Sequence, residues 1–397
     1  MIFGPRRSER GTDNDLEGVA MRLGLCALLA AQALCFTSAV VAAEPIRIGV
    51  VNEITGPNAE AGSYTVNGAK LALEEINQAG GVLGRQLELR VEDNQSTNPG
   101  TVLAFSKVFG EGGIAAIIGP VRSTQVQAAS PTITKAGIPV LIGGTDPGLT
   151  RAGNRWLFRA RPNDTYSSKV IADFGVNTLK LKNWAILHST DTFGTGGKNA
   201  LIDELKALGV VPTLVQGYAN NTLDFTPIVL AIKQSGADVL GTYFTSSPDV
   251  GIFANQLRQL GVNITVIGSP TFSTDTAMKL AREALHGVHS IADFASDSSP
   301  EAQAFATKYK AKYNREPDLY SSWAFDAVNL IALAIKTAES TDPEAMRTAI
   351  LGIKGTFRGA EGTYSFDERG DGLHGYNIVR NEDGKLRFIK HIEFTSK

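Results

Sequence analysis

From Ile46 onward, short apolar runs alternate with amphipathic stretches, a pattern that predicts strands and helices in regular succession. Ile46 to Val51 reads as a buried strand. After the loop Thr55-Gly56-Pro57, residues Ala69, Ala72, Leu73 and Ile76 recur at helical spacing, and Gly80-Gly81 stops that helix. Leu87, Leu89 and Val91 alternate as a second strand. A helix near Val102 to Phe109, a strand at Ile114 to Ile118, a helix after Arg122 and a strand at Pro139 to Ile142 complete one series. The polar stretch Arg161-Pro162-Asn163-Asp164 then precedes another series, with strands expected at Trp184 to His188, Val211 to Gln216, Asp238 to Phe244, Ile264 to Ile267 and Val288 to Ile291. Such alternation makes parallel sheets covered by helices. Two helical segments, Ala302 to Tyr313 and Tyr320 to Ala338, have no strand between them, and the simplest arrangement returns them to the first series. The tail is β-rich, at Gly362 to Phe366, Tyr376 to Arg380 and Leu386 to Ile392, the last two joined by the hairpin signal Asn381-Glu382-Asp383-Gly384. The expected fold class is α/β, with two doubly wound parallel-sheet lobes and a ligand cleft between them.

Length agrees with two domains, since 397 residues exceed what one core usually organises. The boundaries expected are 1–43 for a leader and signal peptide, 44–162 plus 295–364 for the first lobe, and 163–294 plus 365–397 for the second. Charge is balanced, 38 basic against 40 acidic residues with no like-charge run, which argues against nucleic acid as a partner. Arg22, the uncharged stretch Leu23 to Val41 and then Val41-Ala42-Ala43 before Glu44-Pro45 have the order of an export signal cleaved after Ala43. A retained anchor is the alternative, because the stretch nearly spans a bilayer. Its small residues at the end and the strand that follows favour cleavage. Residues 1–20 are polar and contain acids, which makes Met21 a candidate true start, and Arg6-Arg7 lies too far from the apolar stretch for twin-arginine export. The only two cysteines, Cys26 and Cys35, fall inside the signal, and Gln32-Ala33-Leu34 is a poor lipidation context for Cys35. The mature chain, free in the periplasm, then needs no disulfide.

In open parallel sheets ligands bind beyond the carboxyl ends of strands, at helix N-termini and glycine turns. Gly119-Pro120-Val121-Arg122-Ser123-Thr124 follows one strand and opens a helix, while Gly143-Gly144-Thr145-Asp146-Pro147 follows the next. Glycine admits close approach to the backbone, and Ser123, Thr124 and Thr145 add hydroxyl donors at a positive helix end. Together they suit a carboxylate. Taken singly, each hydroxyl could equally cap a helix.

Several segments in order resemble one known family. They are Thr55-Gly56-Pro57, Glu75-Ile76-Asn77-Gln78-Ala79-Gly80-Gly81-Val82-Leu83-Gly84-Arg85, Val91-Glu92-Asp93, Ile117-Ile118-Gly119-Pro120, Gly144-Thr145-Asp146-Pro147 and Tyr320-Ser321-Ser322-Trp323-Ala324-Phe325-Asp326-Ala327. Together they look like the branched-chain amino-acid-binding proteins of ABC transporters. The resemblance implies a type I periplasmic-binding fold with three crossings between lobes, a ligand in the cleft and delivery to an inner-membrane permease. Its carboxylate grip falls on Ser123 or Thr124, the Gly144 backbone and Thr145. Ala61 stands where a bulky aromatic often meets the ligand, Phe193 replaces a tyrosine, and the segment Tyr243 to Thr245 matches a further contact region. The departure comes after Gly268. Where the resemblance implies an acid for the ligand ammonium, this chain reads Ser269-Pro270-Thr271-Phe272. A buried ammonium without a carboxylate is unfavourable, so Asp146, Asp191 or Asp293 serves instead, or the ligand carries no such charge. Asp146 could alternatively cap its turn. Arg122 beside the grip meets a second ligand carboxylate or is a solvated surface residue.

Enzymatic readings lack a constellation. His286 and His289 stand without a supporting cluster of metal ligands, and Phe193-Gly194-Thr195-Gly196-Gly197-Lys198 misses the glycine and hydroxyl positions of a phosphate loop. No cofactor and no metal are expected. The competing readings are a sensory or amide- or urea-binding relative, an importer component for aromatic or other non-amino carboxylates, and an NAD-dependent enzyme on a similar scaffold. The leading expectation is a monomeric solute-binding protein that closes on an amino acid or related small carboxylate by a hinge.

Overall fold

The computed structural model describes Met1, Gly4 and residues 43–394, so the expected leader and signal at 1–43 lie, apart from Met1, Gly4 and Ala43, outside the described residues. Strands β1 (Ile46–Asn52), β2 (Leu87–Asp93), β3 (Ile114–Ile118), β4 (Val140–Ile142) and β5 (Leu157–Pro162) precede β6 (Trp184–Ser189), β7 (Leu214–Tyr218), β8 (Val239–Tyr243), β9 (Thr265–Gly268) and β10 (His289–Ala292). The tail adds β11 (Lys354–Arg358), β12 (Thr363–Ser365), β13 (Asp371–Leu373), β14 (Gly375–Glu382) and β15 (Lys385–Glu393). One sheet has the order β2-β1-β3-β4-β5-β13, and every pair in it is parallel. The other has the order β7-β6-β8-β9-β10-β14-β15, parallel until the last two strands, which turn antiparallel. Helices join the parallel strands, and the chain passes between sheets after β5, after β10 and between β13 and β14. This is the two-lobed α/β architecture expected.

Three details differ from expectation. The segment 365–373, expected in the second lobe, contains β13, which extends the first sheet. The cause is a buried pair, Arg159 Nε to Asp371 Oδ1 at 3.2 Å, with Thr150 Oγ1 donating to the same carboxylate oxygen at 3.0 Å. The stretch before Asn163, read as a polar connection, is the end of β5, and all its residues are buried. Arg159 and Arg161 break its apolar pattern, yet each is neutralised by an acid from elsewhere in the chain. The strand expected from Val211 begins at Leu214, beyond Pro212, which has no N–H for a ladder.

The helix Leu319–Ala338 is buried on nearly every side and packs on helix Ala59–Gln78, which returns it to the first lobe as its all-round apolar sequence requires. Asp318 starts it with a capping box, accepting from the N–H groups of Tyr320 and Ser321. The two helices touch at Gly68, where an added Cβ would lie 2.0 Å from the carbonyl oxygen of Ser321. Gly68→Ala must therefore push backbone against backbone, and a loss of about 1–3 kcal/mol in urea unfolding is the expected result. The consequence for the site is direct, because this helix carries Tyr320 to the cleft.

Candidate functional site

A cavity lies between the lobes, and nearly all of its lining comes from carboxyl ends of strands or the loops just after them. The first lobe supplies Arg122 and Ser123 after β3, Thr145 after β4, Arg161 from β5, and Tyr320 from the returning helix. The second supplies Phe193 after β6, Thr245 after β8, and Pro270 and Thr271 after β9. The cavity measures about 30 Å³, room for a water molecule or two. The lobes are closed on each other here, and the Arg122 side chain runs between them.

Ser123 begins helix Ser123–Ala136, whose first-turn N–H groups have no intrahelical acceptor. Its hydroxyl accepts from the Asp146 N–H at 3.2 Å, which ties the two turns together. Thr145 donates from Oγ1 to Asp164 Oδ2 at 2.9 Å. Buried Arg159 fixes the backbone of this turn, donating from Nη1 to the Thr145 carbonyl at 2.7 Å and from Nη2 to that of Asp146 at 2.8 Å. Gly144 does not line the cavity. A Cβ there would come within 2.9–3.1 Å of Leu149, Ser123 and Val126, so glycine is what lets the turn lie against the helix start.

Other expected contacts fall elsewhere. Thr124 points out of the cavity, its hydroxyl accepting from the Thr192 N–H of the opposite lobe at 3.4 Å. Asp146 caps its own turn, accepting from the Gly148 N–H at 2.8 Å. Ala61 is buried in the first-lobe core and adds nothing to the lining. Tyr243 is fully buried behind Phe193, its ring edge-on at 5.7 Å and its hydroxyl bonded to Ser167 at 2.8 Å. Thr245 and Thr271 do line the cavity, although the Thr271 hydroxyl donates to the Phe244 carbonyl. Asp191 caps helix Thr192–Ala207 through the Gly194 N–H at 2.9 Å. Asp293 is paired with Arg161.

Arg122 is not a solvated surface residue, being only 9% exposed. Its Nε meets Glu53 Oε1 at 3.0 Å, Gln125 Nε2 donates to the same oxygen at 3.1 Å, and Nη1 donates to the Thr245 carbonyl across the cleft. Burial works against its charge, but Glu53, with Tyr320 and Asp191 adding to it, more than offsets that and holds it firmly protonated. Arg161 likewise keeps its charge against burial through Asp293, and it donates to the Gly143 carbonyl at 2.8 Å. Glu361, close behind, is pushed well above the usual carboxyl range by burial and by the charge of Asp293. Burial lifts Asp164 to about 7 although Thr145 donates to it. Val121, Arg161, Pro270, Leu319 and Tyr320 are the lining residues that the site reasoning missed. Arg161 hid in what reads as a linker, and an arginine two residues after another inside a short apolar run was the available signal. Among the described residues no cluster of acids, histidines or cysteines could hold a metal.

This arrangement offers hydroxyls and a helix start to one anionic group, an aromatic wall, and two guanidinium groups. Residues 45–385 match the family described as periplasmic binding protein. The leucine-, isoleucine-, valine-, threonine- and alanine-binding protein of Pseudomonas aeruginosa is 28% identical over 350 residues, 87% of this chain and 92% of its own length. A Leu/Ile/Val-binding protein of Rhizobium johnstonii is 30% identical over 86% of this chain and 93% of its own. Among solved structures, the branched-chain amino acid transporter substrate-binding protein of Streptococcus pneumoniae in complex with isoleucine superposes with a TM-score of 0.81 at 26% identity, covering 88% of this chain and 99% of that one. The chain belongs to the periplasmic binding protein family.

Proposed function

We propose that this protein captures an amino acid or a related small carboxylate in the periplasm by hinge closure and delivers it to an inner-membrane ABC permease, acting as a monomer after cleavage near Ala43. The observation that carries the reading is the cavity itself. Ser123 and Thr145 on one lobe face Phe193, Thr245 and Thr271 on the other, so a bound molecule touches both lobes and favours the closed form by that differential contact. The relatives named for branched-chain amino acids support the importer role. A thermal-shift screen tests it: small carboxylates should raise the melting temperature, because a ligand that binds only the folded state stabilises it. A response to urea and short amides with none to carboxylates would reject it.

Proton linkage gives the grip a sign. While Asp164 is ionised, the Thr145 hydroxyl proton is committed to it. Protonated Asp164 can donate instead, which frees Thr145 to donate to a ligand carboxylate and removes a negative charge from beside it. Arg159, Arg161 and Asp146 are the other charges acting on Asp164. Carboxylate affinity should therefore fall as pH rises through about 7, up to about tenfold per pH unit above that point. Asp164→Asn, which always presents a donor to Thr145, should flatten the profile in calorimetric titrations.

A further inference from the structure

The ligand's remaining chemistry follows from where the charges stand. Arg122 and Arg161 line the cavity, and among the described residues no acid does. The carboxylates closest behind the lining are already engaged: Asp164 accepts from the Thr145 hydroxyl, and two others stand behind the arginines. Glu53 is wholly buried and holds Arg122 and Gln125 on one oxygen, while Asp293 holds Arg161. An ammonium approaching either acid would meet a guanidinium first and would have to displace it. The other two candidate acids are used in turns, Asp146 on the Gly148 N–H and Asp191 on the Gly194 N–H. The loop after β9 offers Pro270 and the Thr271 hydroxyl, and that hydroxyl is already donating to a backbone carbonyl. A ligand ammonium would thus be desolvated beside two guanidinium groups, with these acids already engaged by an arginine, a hydroxyl or a turn, which is unfavourable.

We infer that the ligand is a small organic acid without an ammonium group, and that Arg122 is the residue that imposes this choice. The inference rests on the carboxylate reading given above and narrows it. Arg122 is placed to act on closure in particular. Its stem leaves the first lobe beside Ser123, and its guanidinium reaches the Thr245 carbonyl of the second lobe. Bringing the lobes together therefore sets a fixed positive charge across the cavity. An anion placed there gains a charge-assisted contact, and an ammonium is repelled. Phe193, Pro270 and Tyr320 leave the rest of the wall suited to an uncharged carbon body.

Matched pairs that differ only in the amino group test this: 4-methylpentanoate against leucine, 3-phenylpropanoate against phenylalanine, and succinate against aspartate, each titrated into the purified protein by calorimetry. The expected result is that the acid lacking the amino group binds at least about tenfold more tightly in whichever pair the cleft admits when the lobes part. Removing Arg122 alone would strand Glu53 in the interior, so the informative variant is the double change Glu53→Gln with Arg122→Gln. In that variant the preference should shrink to within about threefold, whereas Arg122→Lys should keep its sign. An amino acid that binds as tightly as its partner overturns the inference and leaves the carboxylate reading standing. Silence toward all of these acids overturns both. A double variant that keeps the full preference removes Arg122 from the account.

Discussion

Replacing Ser123 and Thr145 together by alanine is expected to weaken carboxylate binding by about two orders of magnitude, since each removes a hydrogen bond to a charged group. Both residues line the cavity, on turns held against each other by the Ser123 to Asp146 bond. Folding should survive, because Arg159 still fixes the Thr145 backbone and glycine at 144 still lets the turns pack. Thr124→Ala is the matching control. Its side chain lies outside the lining and its hydroxyl accepts from the Thr192 N–H, so affinity should change by no more than about threefold. Calorimetric titration of the two variants with the same acid measures the contrast. Equal losses in both would move the grip one residue along the helix.

Arg161→Ala is expected to remove about 3–5 kcal/mol of stability, because it leaves Asp293 buried with no partner. The melting temperature should drop by on the order of 10 °C. Arg161→Met combined with Asp293→Asn should recover part of the loss, since no unpaired charge then remains inside. The single change should also free the Gly143 carbonyl and loosen the turn that holds Thr145. Thermal unfolding of both variants separates the charge effect from the packing effect. A single variant as stable as the parent would mean that Asp293 is solvated and that the cleft floor is wetter than described.

Much of the fold was legible because the burial pattern is simple where strands are buried on both faces. Runs such as Ile114 to Ile118 have no polar residue to disguise them, and the structure buries every one. Legibility failed where charge was buried in pairs. β5 carries Arg159 and Arg161 inside the sheet, and their partners Asp371 and Asp293 lie far along the chain. No local pattern announces such a pair, and the same omission hid both β13 and the Arg161 wall of the cavity. The site divides along a similar line. Ser123 and Thr145 were readable because a turn after a strand needs hydroxyls at those places, whatever surrounds it. Tyr243 was not, because its position at a strand's carboxyl end does not say whether the ring faces the cleft or packs behind Phe193. Nor could the sequence choose between roles for Arg122. Its pairing with Glu53, and its reach to Thr245 of the opposite lobe, exist only once β1, β3 and β8 are brought together.

The central claim, that the lobes close on a small carboxylate, is open to one direct measurement. Both cysteines of the chain, Cys26 and Cys35, precede residue 43, so spin labels placed by Lys135→Cys and Lys206→Cys report without interference in protein that begins at Glu44. These positions are exposed on helices Ser123–Ala136 and Thr192–Ala207, which start at the cleft on opposite lobes. With a carboxylate that calorimetry shows to be bound, the interspin distance should collapse to one short population, and the Ser123→Ala with Thr145→Ala variant should show that shift only at about a hundredfold higher ligand concentration. An unchanged distance distribution at saturating ligand would contradict hinge closure as the way this protein holds its solute.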